Sequence, residues 1–167
     1  MGLDMYLQKE LYLWGYKTKI DTLTIVGAYQ NNQHIQKEIP LQRLDKLTFE
    51  VAYWRKANHI HKWFVDNVQD GHDDCDRYTV SKDKLKQLLA VCKEVIAVYN
   101  NDKLSETDKI EKYNQLLPTT SGFFFGTDEY GEWYIDATND TIEILEEEMS
   151  SDNFEDCDIS YVYMSSW

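Results

Sequence analysis

The sequence predicts an α+β fold: a small antiparallel sheet that includes the N- and C-terminal strands, packed against about four helices. Three observations predict it. Apolar residues alternate with period two at both ends of the chain. They recur with helical spacing through the middle. The 167 residues, 43% of them apolar and 14% aromatic, supply one core and are read as a single domain, 1–167.

Gly2 to Trp14 reads as the first strand, with Leu3, Met5, Leu7 and then Leu11 and Leu13 on its apolar positions. The alternation slips near Lys9-Glu10, as a bulge or a turn would make it. Thr22 to Tyr29 is β-branched and aromatic, which predicts a second strand, and Asn31-Asn32-Gln33 marks a loop. Residues 33–52 carry no clear period. Tyr53 to Val68 predicts a helix, because Tyr53, Ala57, Ile60, Phe64 and Val68 share one face at about 100° per residue. The wheel then puts Trp54, Asn58, His61 and Val65 on one flank, and Arg55, His59, Lys62 and Asp66 on the wetter side. Gln69 to Asp76 breaks the helix.

Ser81 is placed to cap a second helix with the stripe Leu85, Leu88, Leu89, Cys92, Val95 and Ile96. Ser105 and Asp108 have capping-box spacing and open a third helix, which stops before Pro118. Thr119 to Gly131 is turn-rich and aromatic, and Glu132 to Ile135 reads as a short strand. A fourth helix is expected from about Asn139, with Ile142, Leu145 and Met149 inward. Ile159, Tyr161 and Tyr163 alternate along a closing strand.

Charge narrows the partners. The net charge is −13. Residues 1–112 hold 17 acidic and 17 basic side chains, which cancel, while residues 113–167 hold 13 acidic ones and neither lysine nor arginine. This argues against duplex nucleic acid and anionic membranes, because phosphate repels such a surface. The acidic third reads either as a solvated face or as a surface that meets a basic partner. No apolar run approaches the roughly 20 residues of a membrane span, and no secretory leader pattern opens the chain. Cys75, Cys92 and Cys157 are an odd number without CxxC spacing, which predicts reduced thiols and a cytoplasmic setting.

Familiar catalytic motifs are absent: no GxGxxG, P-loop, GxSxG or HExxH. On one helix, His59 and His61 would lie about 200° apart and could not share an ion. The acidic run Asp70 to Asp76 has its glycine too early for an EF-hand, and Ser81 stands where the closing Glu belongs. No metal or cofactor is therefore expected, and a binding role is favoured over an enzymatic one. Candidate binding residues come from two segments. Trp54 offers a stacking face, Arg55 and Lys56 positive charge, and Asn58 and His61 polar edges. Ser121, Phe123, Phe124, Tyr130 and Trp133 form an aromatic, glycine-flanked wall.

GLDMYL, YWRKANHIHKWFVDNVQDGHDDCDRY and LPTTSGFFFGTDEYGEWY, about 50 of the 167 residues, resemble segments of a family of small phage and prophage proteins. The resemblance implies a viral or prophage origin inside a bacterial host cell. Small accessory phage proteins often counter host defence. The expectation is an anti-defence protein that sequesters a nucleotide-derived, anionic immune signal. The alternative is an acidic inhibitor that blocks a basic surface of a host defence protein, and a metal-assisted phosphoesterase ranks last. A homo-oligomer could complete the site, since the wheel sets Arg55 about 100° from Trp54.

Overall fold

The computed structural model describes residues 2–13, 22–28, 34–40, 44–151 and 154–167. The strands are β1 (Asp4–Tyr12), β2 (Thr22–Ala28), β3 (His34–Pro40), β4 (Lys46–Arg55), β5 (Tyr78–Val80) and β6 (Ile159–Ser166). The helices are α1 (Asn58–Asn67), α2 (Lys82–Tyr99), α3 (Glu106–Leu116) and α4 (Glu132–Ser150). The main sheet runs β4-β1-β6-β5 and is antiparallel throughout; β2 and β3 form a separate hairpin. This is the predicted α+β class, with the terminal strands β1 and β6 paired at its centre. The expected loop at 31–33 lies outside the described residues.

One face of the sheet is apolar. Leu3 just before β1, Met5 and Leu7 of β1, Ala52 and Trp54 of β4 and Tyr161 and Tyr163 of β6 join Ile60, Phe64, Leu85, Leu88, Cys92, Val95 and Leu145 of the helices in one core. The other face is polar, as one open side of an antiparallel sheet allows. On it Glu10 is buried between Lys46, Arg77 and Tyr12. Burial by itself would push the Glu10 carboxyl up, but hydrogen bonds from Lys46 and Tyr12 and the charges of Lys46 and Arg77 outweigh it and hold it below the usual range.

Several elements depart from the sequence expectation. The expected helix from Tyr53 is a strand through Arg55, and α1 starts only at Asn58. Lys56 makes the break. It sits at φ +60, a left-handed conformation that a helix does not admit. Trp54 and Arg55 are therefore consecutive strand residues, which point to opposite faces. His59 is also misplaced by the wheel: it is buried, against Tyr134 and Thr138 of α4. Glu132 to Ile135 is the first turn of α4 rather than a strand, so that helix begins seven residues before Asn139. The slip expected near Lys9-Glu10 is not in β1, which pairs with β6 in unbroken register; the bulge is in β4, where Leu7 faces Ala52 and Gln8 faces Glu50, which leaves Val51 over.

Both predicted caps form. Ser81 accepts from the Lys84 amide, and Ser105 and Asp108 make a full capping box. No helix among the described residues is long and apolar enough to cross a membrane.

Candidate functional site

The two candidate segments meet, but as packing. Asn58, buried at the start of α1, donates its side-chain amide to the carbonyls of Phe125 (3.2 Å) and Thr127 (2.7 Å). Its Oδ1 accepts from the Thr120 amide at 3.1 Å. The Leu3 amide donates to the Phe124 carbonyl at 3.0 Å. Asn58 thus spends both side-chain N–H donors and one acceptor position on the 119–127 loop. His61 is equally committed. Its Nδ1 lies 2.8 Å from the Tyr163 hydroxyl and its Nε2 3.0 Å from Asp73 Oδ1. Burial pushes its pKa down, against the charge and hydrogen bond of Asp73. Tyr163 is fully buried, so this Tyr–His–Asp chain ties the 70–76 loop to the core.

The loop sorts its three phenylalanines by depth. The Phe125 amide donates to the Gly122 carbonyl, which closes a turn over Phe123 and Phe124. Phe125 points inward, edge-on to His61. Phe124 is half-buried, and Phe123 at the tip is 95% exposed. Ser121 is exposed. Tyr130 is half-buried, donates to Asn114 and packs against Tyr113 and Tyr134. Lys56 is exposed, its stem close to Gly126.

The cavity lies one step away, between β4 and α4. A cleft of about 380 Å³ is lined by Tyr53, Trp54, Arg55 and Ala57 on one side and by Trp133, Asp136, Ala137, Asp140, Glu143, Ile144 and Glu147 on the other. Of the ten sequence candidates, Trp54, Arg55 and Trp133 line it. Trp54 is part of its buried floor, with the indole N–H donated to Thr141 Oγ1 at 2.9 Å. Trp133 is half exposed. Among the described residues Arg55 is the one basic residue in the lining, and its Nε is drawn to Asp4 Oδ1 at 3.8 Å.

Comparison with protein-family models, with curated proteins and with solved structures gave no match. The cleft must therefore be read from its own chemistry.

Its wall is anionic. Asp136, Asp140, Glu143 and Glu147 follow at spacings of four, three and four, which is one stripe along α4. None of the four has an ion-pair partner among the described residues, whereas Glu146 binds Lys93 at 2.6 Å and Glu148 binds Lys9 at 2.7 Å. Carboxylates four apart repel by a few tenths of a kcal/mol per pair. Glu147 also stands in the last turn of α4, where the helix dipole disfavours negative charge. These charges therefore cost local helix stability with no visible return inside the chain. The charge excess of residues 113–167 was the sequence signal for them. Which of the 13 acids share a cleft depends on the rotation of α4.

The acidic groups of 70–76 are engaged within the fold. Asp73 is held by His61, and Asp74 accepts from the Tyr78 hydroxyl and the Asp76 amide. Among the described residues one group brings three ligand atoms together, Asp156, Cys157 and Asp158 at the surface. All three cysteines are free, and burial pushes the Cys92 thiol up to about 12, which makes it a core residue rather than a nucleophile.

Proposed function

We propose that this chain is a non-enzymatic binding protein that seats a basic region of a partner protein in the β4–α4 cleft. With its resemblance to phage proteins, the partner class is a host defence protein whose basic surface becomes blocked. The observation that carries this reading is a row of four carboxylates, without an ion-pair partner among the described residues, along one wall of a cleft whose one described cation is turned toward Asp4. A lysine or arginine side chain entering the cleft would meet charge on one side and the Trp133 ring on the rim. A nucleotide signal would find Trp133 for its base, but its phosphates would face the anionic wall. The basic partner is thus the better fit.

The test uses the heptapeptide KVKVKVK as the probe. Titrated calorimetrically, it should bind the wild-type protein in a salt-sensitive way. A variant carrying D136N, D140N, E143Q and E147Q should bind about ten- to hundredfold more weakly, from about 0.35–0.7 kcal/mol for each exposed charge lost. That variant should be at least as stable as the wild type, because like charges four apart have been removed. Equal affinity for both proteins, or a larger thermal shift with a cyclic dinucleotide than with the peptide, would reject the reading.

A further inference from the structure

The cleft has a second wall that its side chains do not describe. Tyr53, Trp54 and Arg55 are consecutive residues of one strand, and all three line it. Alternate side chains of a strand point to opposite faces, so three in a row border one cavity only where that cavity touches the strand's edge. A second cleft, of about 290 Å³, lies over the sheet face beside it, lined by Phe49, Glu50 and Val51 of β4, where the bulge breaks the alternation, by Lys9, Leu11 and Ile159 of the inner strands and by Glu148 of α4. The two clefts follow one seam between β4 and α4. From Phe49 to Arg55 the strand spans about 20 Å, and from Trp133 to Glu148 the helix spans about 22 Å. The rails match in length.

β4 is the outermost strand of its sheet, and among the described residues it pairs with β1 alone. Among the described residues its outer backbone amides and carbonyls therefore face no strand partner. Edge strands are usually guarded by lysine, proline or a bulge. Between Leu47 and Trp54 this strand has no lysine and no proline, and Phe49 and Tyr53 are both substantially exposed. Its guards are the bulge at Val51 and the charges of Lys46, Glu50 and Arg55, and the bulge leaves runs of five residues (46–50) and four (52–55) on either side.

We infer that the partner enters as an extended basic segment that adds a strand to the free edge of β4, with lysine or arginine side chains turned to the carboxylates of α4. Backbone pairing supplies register and the helix wall supplies the choice of charge. The inference rests on the proposed function, since it specifies the form of the basic partner. An acidic segment at the same edge would meet like charge, and a basic helix could not use the strand's backbone groups.

The backbone amides of an extended peptide point alternately to its two edges, so methylating alternate amides blocks one edge and spares the other. Two derivatives of KVKVKVK, one N-methylated at its valines and one at its internal lysines, keep the same side-chain charge. One of them should bind at least tenfold more weakly than the other, which should match the parent peptide within about twofold. If both methylated peptides bind alike, strand addition is overturned, while parent binding that needs the four carboxylates leaves the proposed function standing. If the parent peptide does not bind, the proposed function fails and this inference with it.

Discussion

Replacing Phe64 with alanine is expected to cost the fold about 3–5 kcal/mol, the usual range for emptying a fully buried phenylalanine site. Phe64 has no exposed surface. Its ring stacks on Tyr163 of β6 at 3.9 Å and 9°, and meets Trp63 edge-on at 5.3 Å and Trp54 at 6.1 Å. It is therefore where α1 locks onto both the centre and the edge of the sheet. Tyr163 is tied through His61 to Asp73, so its ring is not free to follow a cavity inward. Equilibrium denaturation in urea checks this. A loss under about half a kcal/mol would mean that α1 does not sit on β6 as described.

Acid should weaken the fold well before its carboxylates titrate. Burial holds His59 neutral and pushes its pKa down to about 3. In the unfolded chain the same ring takes a proton near pH 6.5. Below that pH the unfolded state binds a proton that the folded state refuses, so stability falls as pH falls, by about 1.4 kcal/mol per unit, until folded His59 titrates. From pH 7 to about 4.5 this amounts to roughly 2.5 kcal/mol from His59 alone. His61 moves in the same direction, since burial lowers it more than Asp73 raises it. Glu10, held below the usual carboxylate range, adds its own loss only at lower pH. Denaturation midpoints measured across this window should decline steadily. A His59→Gln variant that still folds should show a slope shallower by up to one proton. A flat profile in the wild type would place His59 in contact with water.

Legibility in the sequence followed the length and regularity of each pattern. α2 announces itself through Ser81 and an unbroken apolar stripe, α3 through the Ser105–Asp108 box, and β6 through the alternation of Ile159, Tyr161 and Tyr163. The start of α1 was hidden for a physical reason. Tyr53 and Ala57 fit a helical face by spacing, while the chain turns at Lys56, a residue that does not advertise a left-handed backbone. β4 lost its period-two signature to the extra residue at Val51. α4 begins at Gly131 with no side-chain cap, so nothing local marked Glu132 as helical. β5 has only three residues and is recruited by its pairing with β6.

The site was legible in composition more than in position. Trp54, Arg55 and Trp133 were singled out and do line the cleft. Asn58 and His61 drew notice for the same polar character that the fold uses to fasten the 119–127 and 70–76 loops. A single helical wheel could not show this, because α1 is covered on more than one flank: by Phe125 and Tyr163 at His61, and by Tyr134 and Thr138 at His59. The carboxylates that give the cleft its character were counted in the charge excess, but they became a wall only once α4 was set beside β4.

The central claim is one of place: a basic ligand is held between the edge of β4 and the acidic face of α4. The most direct measurement follows the backbone amide resonances of the wild-type protein during titration with KVKVKVK. The account predicts saturating shifts concentrated in residues 49–55 and 133–148, with the other acidic surfaces, such as Glu155 to Asp158, largely unmoved. Shifts that gather at Glu155 to Asp158, or that spread over every carboxylate-rich surface without saturating, would contradict it.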